Sequence, residues 1–393
     1  MNKLTLRTLP ALLLAVFSGA ASAAAFQLWE QNASGLGTAY AGSAAVADNA
    51  STIFYNPAGM SELTGYQVSV GVTGVGPSYT FRNDGSTLAG NNGGDAGGWH
   101  AVPNLYLSGR LTDKLSLGLG ISAPFGLATE YDSGWVGRAQ TIKSEVRTIN
   151  YNPSVAYRLN DKVSLGFGVN YQKIDAELTN AGGVLKGDDS TWGWNAGALF
   201  TLSPAMRVGL SYRSSMKYTL EGTLNGATPV RADVELPDTA ILSVWQQVSD
   251  RWEAMGDLSY TRWNSLKSLN VISRATGNAI PPAGETFNYD NAWRIAWGAA
   301  YKASEMAKIK FGIAYDRTPV RDADRSARVP DNSRLWLSLG GQWNAGRHGK
   351  VDLGYSYLYV RDPDINMTKN GTTLRGSYDA SAHIVGLQYS VGF

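Results

Sequence analysis

The run "RLNDKVSLGFGVNYQ", Arg158 to Gln172, alternates with a period of two. Val163, Leu165, Phe167, Val169 and Tyr171 share one face of an extended chain, and Ser164, Gly166, Gly168 and Asn170 share the other. "RLTDKLSLGLGIS", Arg110 to Ser122, is a near copy, and "MRVGLSYR" from Met206, "KIKFGIAYD" from Lys308 and "KVDLGYSYLYV" from Lys350 continue the scheme. The last strand puts Val385, Leu387, Tyr389, Val391 and Phe393 on one side. A chain written this way pairs strand with strand, and its class depends on what the two faces meet.

In a soluble sandwich the apolar face would meet a second sheet and the small polar face would meet water. The connections argue instead for an all-β transmembrane antiparallel β-barrel of about 14 strands. Short turns ("TDK", "NDK", "SPA", "SDR") alternate with long segments around Asn83 to Gly98, Pro124 to Glu145, Asn264 to Thr286, Thr318 to Pro330 and Asp362 to Gly376. That is the rhythm of periplasmic turns and outer loops. A hydrophobic content of only 44% fits, because every second strand residue faces lipid, and 12 Trp and 20 Tyr can supply interfacial girdles. No stretch past the amino terminus reaches the ~20 apolar residues of a spanning helix.

The chain opens "MNKLTLRTLPALLLAVFSGAASAAAFQLWE". Lys3 and Arg7, an apolar core from Ala11 to Phe17 and the small residues of "ASAAA" predict a signal peptide over residues 1–24, cleaved near Ala23 or Ala24. The remainder is then periplasmic, secreted or outer-membrane. Cysteine is absent, which excludes thiol chemistry and disulfides, and a net charge of +2 gives no reason to expect nucleic acid.

Residues 25–64 do not alternate. They carry Phe26, Leu28, Trp29, Leu36, Ile53, Phe54, Tyr55 and Met60 with few charges, and Pro57 interrupts any regular element. A solvated tail would not be so apolar. A barrel of about fourteen strands has a lumen too wide for its own side chains to fill. This segment is therefore expected to be a lumenal plug, with the barrel following over residues 65–393.

The segment also resembles the hatch of FadL-type outer-membrane transporters of long-chain fatty acids and aromatic hydrocarbons. The pieces that carry the resemblance are "AAFQL" (Ala24 to Leu28), "SGLGTAYAG" (Ser34 to Gly42), "ADNA" (Ala47 to Ala50) and Asn56-Pro57-Ala58. The resemblance implies passive uptake of hydrophobic molecules: capture among the outer loops, passage to a pocket above the hatch, and lateral exit through a kink in the third strand. It makes Phe26, with Leu28, a displaceable gate in that pocket, and gives Asn56, Pro57 and Ala58 a part in shaping the hatch. Independently, Pro124 and Gly126 in "ISAPFG" should break the third strand, so Ala123, Pro124, Phe125 and Gly126 either begin an ordinary loop or line the opening.

Other chemistry is poorly supported. The three histidines pair with no plausible nucleophile, and no G-x-S-x-G is present. "DPDINMTKNG" from Asp362 lacks the Gly and Glu of a calcium loop. Parity turns Arg207, Arg213, Arg294, Glu253 and Asp257 inward, where opposite charges should pair; one of the arginines is the alternative site for a fatty acid carboxylate. "RDADRSARVP", Arg321 to Pro330, reads as a loop facing lipopolysaccharide and water. The expectation is thus a monomeric channel without cofactor or metal, not an enzyme. Its terminal Phe393 would be read by the barrel assembly machinery, and its ligand is a long-chain fatty acid or, alternatively, a hydrocarbon. A polar-solute porin is disfavoured by the apolar segment.

Overall fold

The computed structural model describes residues 25–393, so the expected leader over 1–24 lies outside the described residues. One antiparallel sheet closes on itself in fourteen staves. In chain order they are β1 (Tyr66–Asn83), β2 (His100–Arg110), β3 (Leu115–Ser122, resuming as Gly126–Glu130), β4 (Lys143–Asn160), β5 (Val163–Asn180), β6 (Gly183–Ser203) and β7 (Met206–Arg213 with Met216–Leu224). The circuit continues through β8 (Thr228–Leu236 with Thr239–Gln247), β9 (Trp252–Thr261), β10 (Ala292–Lys302), β11 (Ala307–Asp316), β12 (Arg334–Asn344), β13 (Lys350–Val360) and β14 (Thr372–Gly392). Closure is direct: Val72 of β1 pairs with Pro103 of β2 on one side and Leu387 of β14 on the other. Closure gives every stave a neighbour on both sides, which is what lets a sheet survive in hydrocarbon.

The alternation resolves as lipid outside and small residues inside. Leu117, Leu119, Leu165, Phe167, Leu210, Leu339 and Leu387 are exposed on the outer wall. Inside, the glycines have a specific cause. A Cβ placed on Gly166 would stand 2.2 Å from the Ala58 nitrogen, and one on Gly312 2.1 Å from the Thr38 carbonyl carbon. The wall is small there because the backbone of residues 25–64 runs against it.

That segment has little regular structure: single turns at Leu36–Thr38 and Pro57–Glu62 and a four-residue helix at Thr52–Tyr55. Its order comes from contacts. Asn56 caps the turn at Pro57 by accepting from the Ala58 N–H at 3.1 Å, and its Nδ2 donates to Ala44 O at 2.8 Å and to Ala198 O of β6 at 3.0 Å. Ser43 and Ala44 bond Asp257 and Ser243, Lys310 reaches Ser34 O, and Gln388 accepts from the Ala33 N–H. Inward-facing groups from almost the whole circumference hold it.

Two expected loops are shorter than the sequence reading gives. Gly126–Glu130 is strand, paired with Lys143–Arg147, and Asp364–Lys369 forms a hairpin with β14. Proline and glycine interrupt β3 without ending it, because other groups bridge the interruption.

Candidate functional site

At Ser122 the regular ladder of β3 stops. Ser122 pairs with Asn150 and Gly126 with Arg147, so Ala123, Pro124 and Phe125 oppose only Ile149 and Thr148. On the other side, pairing with β2 ends at Leu105–Ile121, and His100 to Asn104 pair only with β1. Pro124 has no N–H to donate, and the chain bends inward past it. Outside this break lies a cavity of about 450 Å³ lined by Val102, Thr148 and Ala176 from the inner face and Pro103, Arg147 and Ile149 from the outer one.

Residues 26–31 supply the missing partner. Gln27 bridges Phe125 in antiparallel fashion. The Gly126 N–H donates to Phe26 O at 2.9 Å, and the Leu28 N–H to Pro124 O at 2.8 Å. The Gln31 side chain takes both groups of Ala123, accepting from its N–H at 3.2 Å and donating to its carbonyl at 2.8 Å. From β4, the Thr148 hydroxyl accepts from the Phe125 N–H at 3.0 Å and donates to its carbonyl at 2.6 Å. An interruption that would orphan several backbone groups is thereby satisfied.

Directly inside is an apolar cavity of about 60 Å³, lined by Phe26, Leu127, Val146, Ile174, Leu220, Leu236, Leu266 and Phe287 among others. The Phe26 ring meets Trp263 edge-on at 4.9 Å and Phe125 at 6.3 Å. Leu28 is buried in the adjoining cluster with Trp29, Ala123 and Trp336. The strands build this cavity by reversing their amphipathic sense. Along β5 the odd residues face out throughout, but above Gln172 they become Lys173, Asp175 and Glu177 while the inward set becomes Ile174, Ala176 and Leu178. That part of the wall is apolar inside and charged outside, as expected of a stretch standing clear of the bilayer.

The cavity's one charged lining residue is Arg328. Its Nε donates to Glu285 Oε1 at 2.5 Å, and Nη1 donates to Thr141 Oγ1 and Ser144 Oγ, both at 3.0 Å. Lys369 Nζ reaches the same Glu285 oxygen at 2.7 Å. A second cavity, of about 360 Å³, is lined by all three charged residues and by Gln140, Pro281 and Met367 at the long-loop end. The expectation that Arg321 to Pro330 faces water is therefore corrected for two of its arginines: Arg325 and Arg328 are buried. Charge in a loop read as hydration, and nothing local in the sequence announced a buried Glu285 partner across the fold.

The three arginines singled out by parity do point inward, but none lines the apolar cavity. Arg213 donates to Phe54 O at 2.9 Å and to Asn170 Oδ1 at 2.5 Å. Arg294 donates to Ala39 O at 2.7 Å and lies over Trp29, and Arg207 lies 3.6 Å from Glu62 and over Trp245. Each engages residues 25–64 directly. Asn56, Pro57 and Ala58 press on β5 and β6, not on the break.

A family model described as "Outer membrane protein transport protein (OMPP1/FadL/TodX)" matches residues 14–393. Outer membrane protein P1 of Haemophilus influenzae is 32% identical, with 96% of each chain covered. The long-chain fatty acid transport protein of an Escherichia coli O6:H1 strain is 29% identical over the full length of both. Among solved structures, a Pseudomonas aeruginosa FadL homologue superposes with a TM-score of 0.89 at 23% identity, covering 94% of this chain and 100% of that one. The Pseudomonas putida toluene transporter TodX gives 0.70 at 17% identity, covering 92% and 98%. At those identities the structures establish a shared fold. The chain belongs to the FadL/TodX family of outer-membrane transporters of hydrophobic compounds.

Proposed function

We propose that the protein carries long-chain fatty acids inward without an energy source, by way of the apolar cavity, a displaceable Phe26 and the break in β3. The observation that carries this reading is their adjacency: a cationic rim at Arg328 and Lys369, an apolar chamber, the Phe26 ring set into it, and an interrupted wall beside that ring. An amphiphile with a negative head and a long tail matches this order. Its carboxylate would compete with Glu285 for Arg328 and Lys369, gaining charge-assisted bonds, while its tail displaces Phe26. The chamber of about 60 Å³ is far below the ~300 Å³ or more of a ligand pocket, so residues 25–31 must move for a tail to enter.

Movement of those residues removes their four hydrogen bonds to Ala123, Pro124 and Gly126 and leaves only the pair from Thr148 to Phe125. Residues 25–64 are thus read as a hatch whose leading end both fills the pocket and closes the wall. Exit sideways is favoured because each methylene kept from water is worth ~0.8 kcal/mol. A small hydrocarbon is the second reading, since it would fill the chamber and leave the Glu285 pairs undisturbed.

Uptake of labelled oleate, with toluene as competitor, in cells lacking their own transporter decides between the two. Fatty acid transport requires oleate entry that falls with both Phe26→Ala and Arg328→Leu at equal surface levels. Toluene entry indifferent to Arg328, with no oleate entry, would replace it by the hydrocarbon reading.

A further inference from the structure

Glu30 is a carboxylate for which the route above has no use. It is completely enclosed, and neither of its oxygens has a partner beyond its own backbone N–H. Buried polar atoms are rarely left so, and a carboxylate least of all. The charged groups that face it come from three staves: Arg294 on β10, Asp316 at the end of β11 and Arg334 at the start of β12. Asp331 pairs with Arg334, and Asp257 of β9 acts on Arg294. Tyr40 and Tyr55 face it from its own segment. Arg294 leaves Nε and Nη1 without a partner. Two acceptors and two donors of opposite charge therefore share one buried cluster without being joined.

The backbone around Glu30 is clasped by three tyrosine hydroxyls. Tyr55 donates to Trp29 O at 2.6 Å, Tyr106 to Gln31 O at 2.8 Å and Tyr40 to Asn32 O at 2.9 Å. This clasp overlaps the end of the stretch that seals the break, with Gln31 in both. At the short-turn end a polar vestibule of about 330 Å³ shares Glu253 and Lys308 with a slot of about 50 Å³ inside the segment, and the slot is walled by Tyr40 and Tyr55, the two tyrosines that face Glu30.

We propose that Glu30 is a positioning residue of the N-terminal segment and acts as its proton-operated latch: neutral, it lets residues 26–31 lie against the break; ionised, it is drawn to Arg294 and the seal loosens. This role, which rests on the hatch reading above, gives the channel a dependence on periplasmic pH. Burial pushes the Glu30 carboxyl up from 4.5 to about 7, against the opposing pull of its own backbone N–H and then of Arg334 and Arg294. A loosened arrangement that pairs or hydrates the carboxylate restores a lower value. The sealed form is thus fully favoured below about 4.5 and loses ground as pH climbs from there to about 7, by up to about two orders of magnitude.

The test is amide hydrogen exchange of the peptide covering residues 25–33 in the full-length, ligand-free barrel at pH 6 and pH 8, corrected for the intrinsic effect of pH on exchange. Wild-type protection is expected to fall about tenfold between the two, and Glu30→Gln, which is isosteric and neutral, to stay protected at both. An infrared difference spectrum should show a protonated carboxyl band at pH 6 that fades by pH 8 and is missing in Glu30→Gln. Should that variant fail to fold, Arg294→Gln serves, and is expected to move the midpoint of the wild-type change to higher pH. Protection that is equal at both pH values, or a pH response that survives in Glu30→Gln, overturns the latch. Because no ligand is present, that failure is separate from a failure to bind oleate at any pH, which would overturn the transport reading instead.

Discussion

The two halves of the barrel wall obey opposite rules. Toward the short turns the wall is apolar outside and lined inside by glycine, serine and asparagine, and it is filled by the backbone of residues 25–64. Toward the long loops, β4 to β8 are charged outside and lined by Val146, Ile174, Leu178, Leu220 and Leu236, and the space they enclose holds Phe26 together with loop residues such as Leu266, Phe287 and Val329 around a small apolar cavity. The first half is full, and the second encloses the cavity that the proposed route uses. The difference teaches where tolerance to substitution should lie: volume is forbidden in the lower half, while polarity is what the upper half cannot accept.

The largest effect expected of a single change is therefore in the filled half. Gly166→Ile or Gly312→Val would put side-chain atoms where Ala58 and Thr38 already lie. Overpacking of a fitted interior costs ~1–3 kcal/mol when neighbours can yield, and here the neighbour is backbone held by Asn56 and Arg213. Loss of the folded, heat-resistant band on gels without boiling is the expected readout. If both variants fold with wild-type thermal stability, the halves do not differ in the way described.

Next in size is the rim of the upper half. Arg328→Leu keeps the chamber apolar but removes a partner for an incoming carboxylate. Hydrogen bonds to charged groups contribute ~1.5–3 kcal/mol each, so oleate affinity should fall about 10- to 100-fold while a neutral alkane probe binds as before. Titration of both probes into detergent-solubilised protein measures this, and equal loss of both would show that the arginine serves only the fold. A smaller effect is expected at the seam between the halves. Thr148→Val preserves shape and removes the hydroxyl that bonds Phe125 twice, at ~1 kcal/mol, so exchange at Phe125 and Gly126 should quicken about fivefold with the remainder of β4 unchanged.

How much of this could be read from the sequence follows the same division. Alternation in Arg158 to Gln172 fixes face and strand because lipid imposes a strict period, and the plug-like composition of residues 25–64 marks them as interior. Pro124 and Gly126 flag the break, though not that Thr148, Gln31 and Phe26 repair it, since those partners are remote in sequence. The upper chamber was legible in one respect that parity alone reveals: in "YQKIDAEL" the apolar residues change from odd to even positions without an intervening turn. Arg328, Glu285 and Lys369 gave no such sign, because a charge pair across three loops has no period.

The charged exterior of the upper half supplies the finest test of the contrast. Asp175 of β5 and Asp188 of β6 stand directly opposite each other on the outer face, and both are exposed. Like charges in that relation oppose pairing by ~0.2–1 kcal/mol; Glu221 stands opposite Asp188 on its other side, and Arg147 opposite Asp175, with Lys173 and Lys186 two residues along the same face, offsets the repulsion in part. Asp188→Asn should thus stabilise the barrel slightly, and the gain should shrink as salt is raised and the repulsion is screened over a Debye length of ~8 Å. A destabilising outcome that is insensitive to salt would mean that the pair is not hydrated, and that this stretch of wall lies within the apolar belt after all. The opening beside Arg147 would then face lipid chains, whereas hydrated aspartates place it at the level of the headgroups, where an amphiphile can leave its carboxylate in water while its tail enters the leaflet.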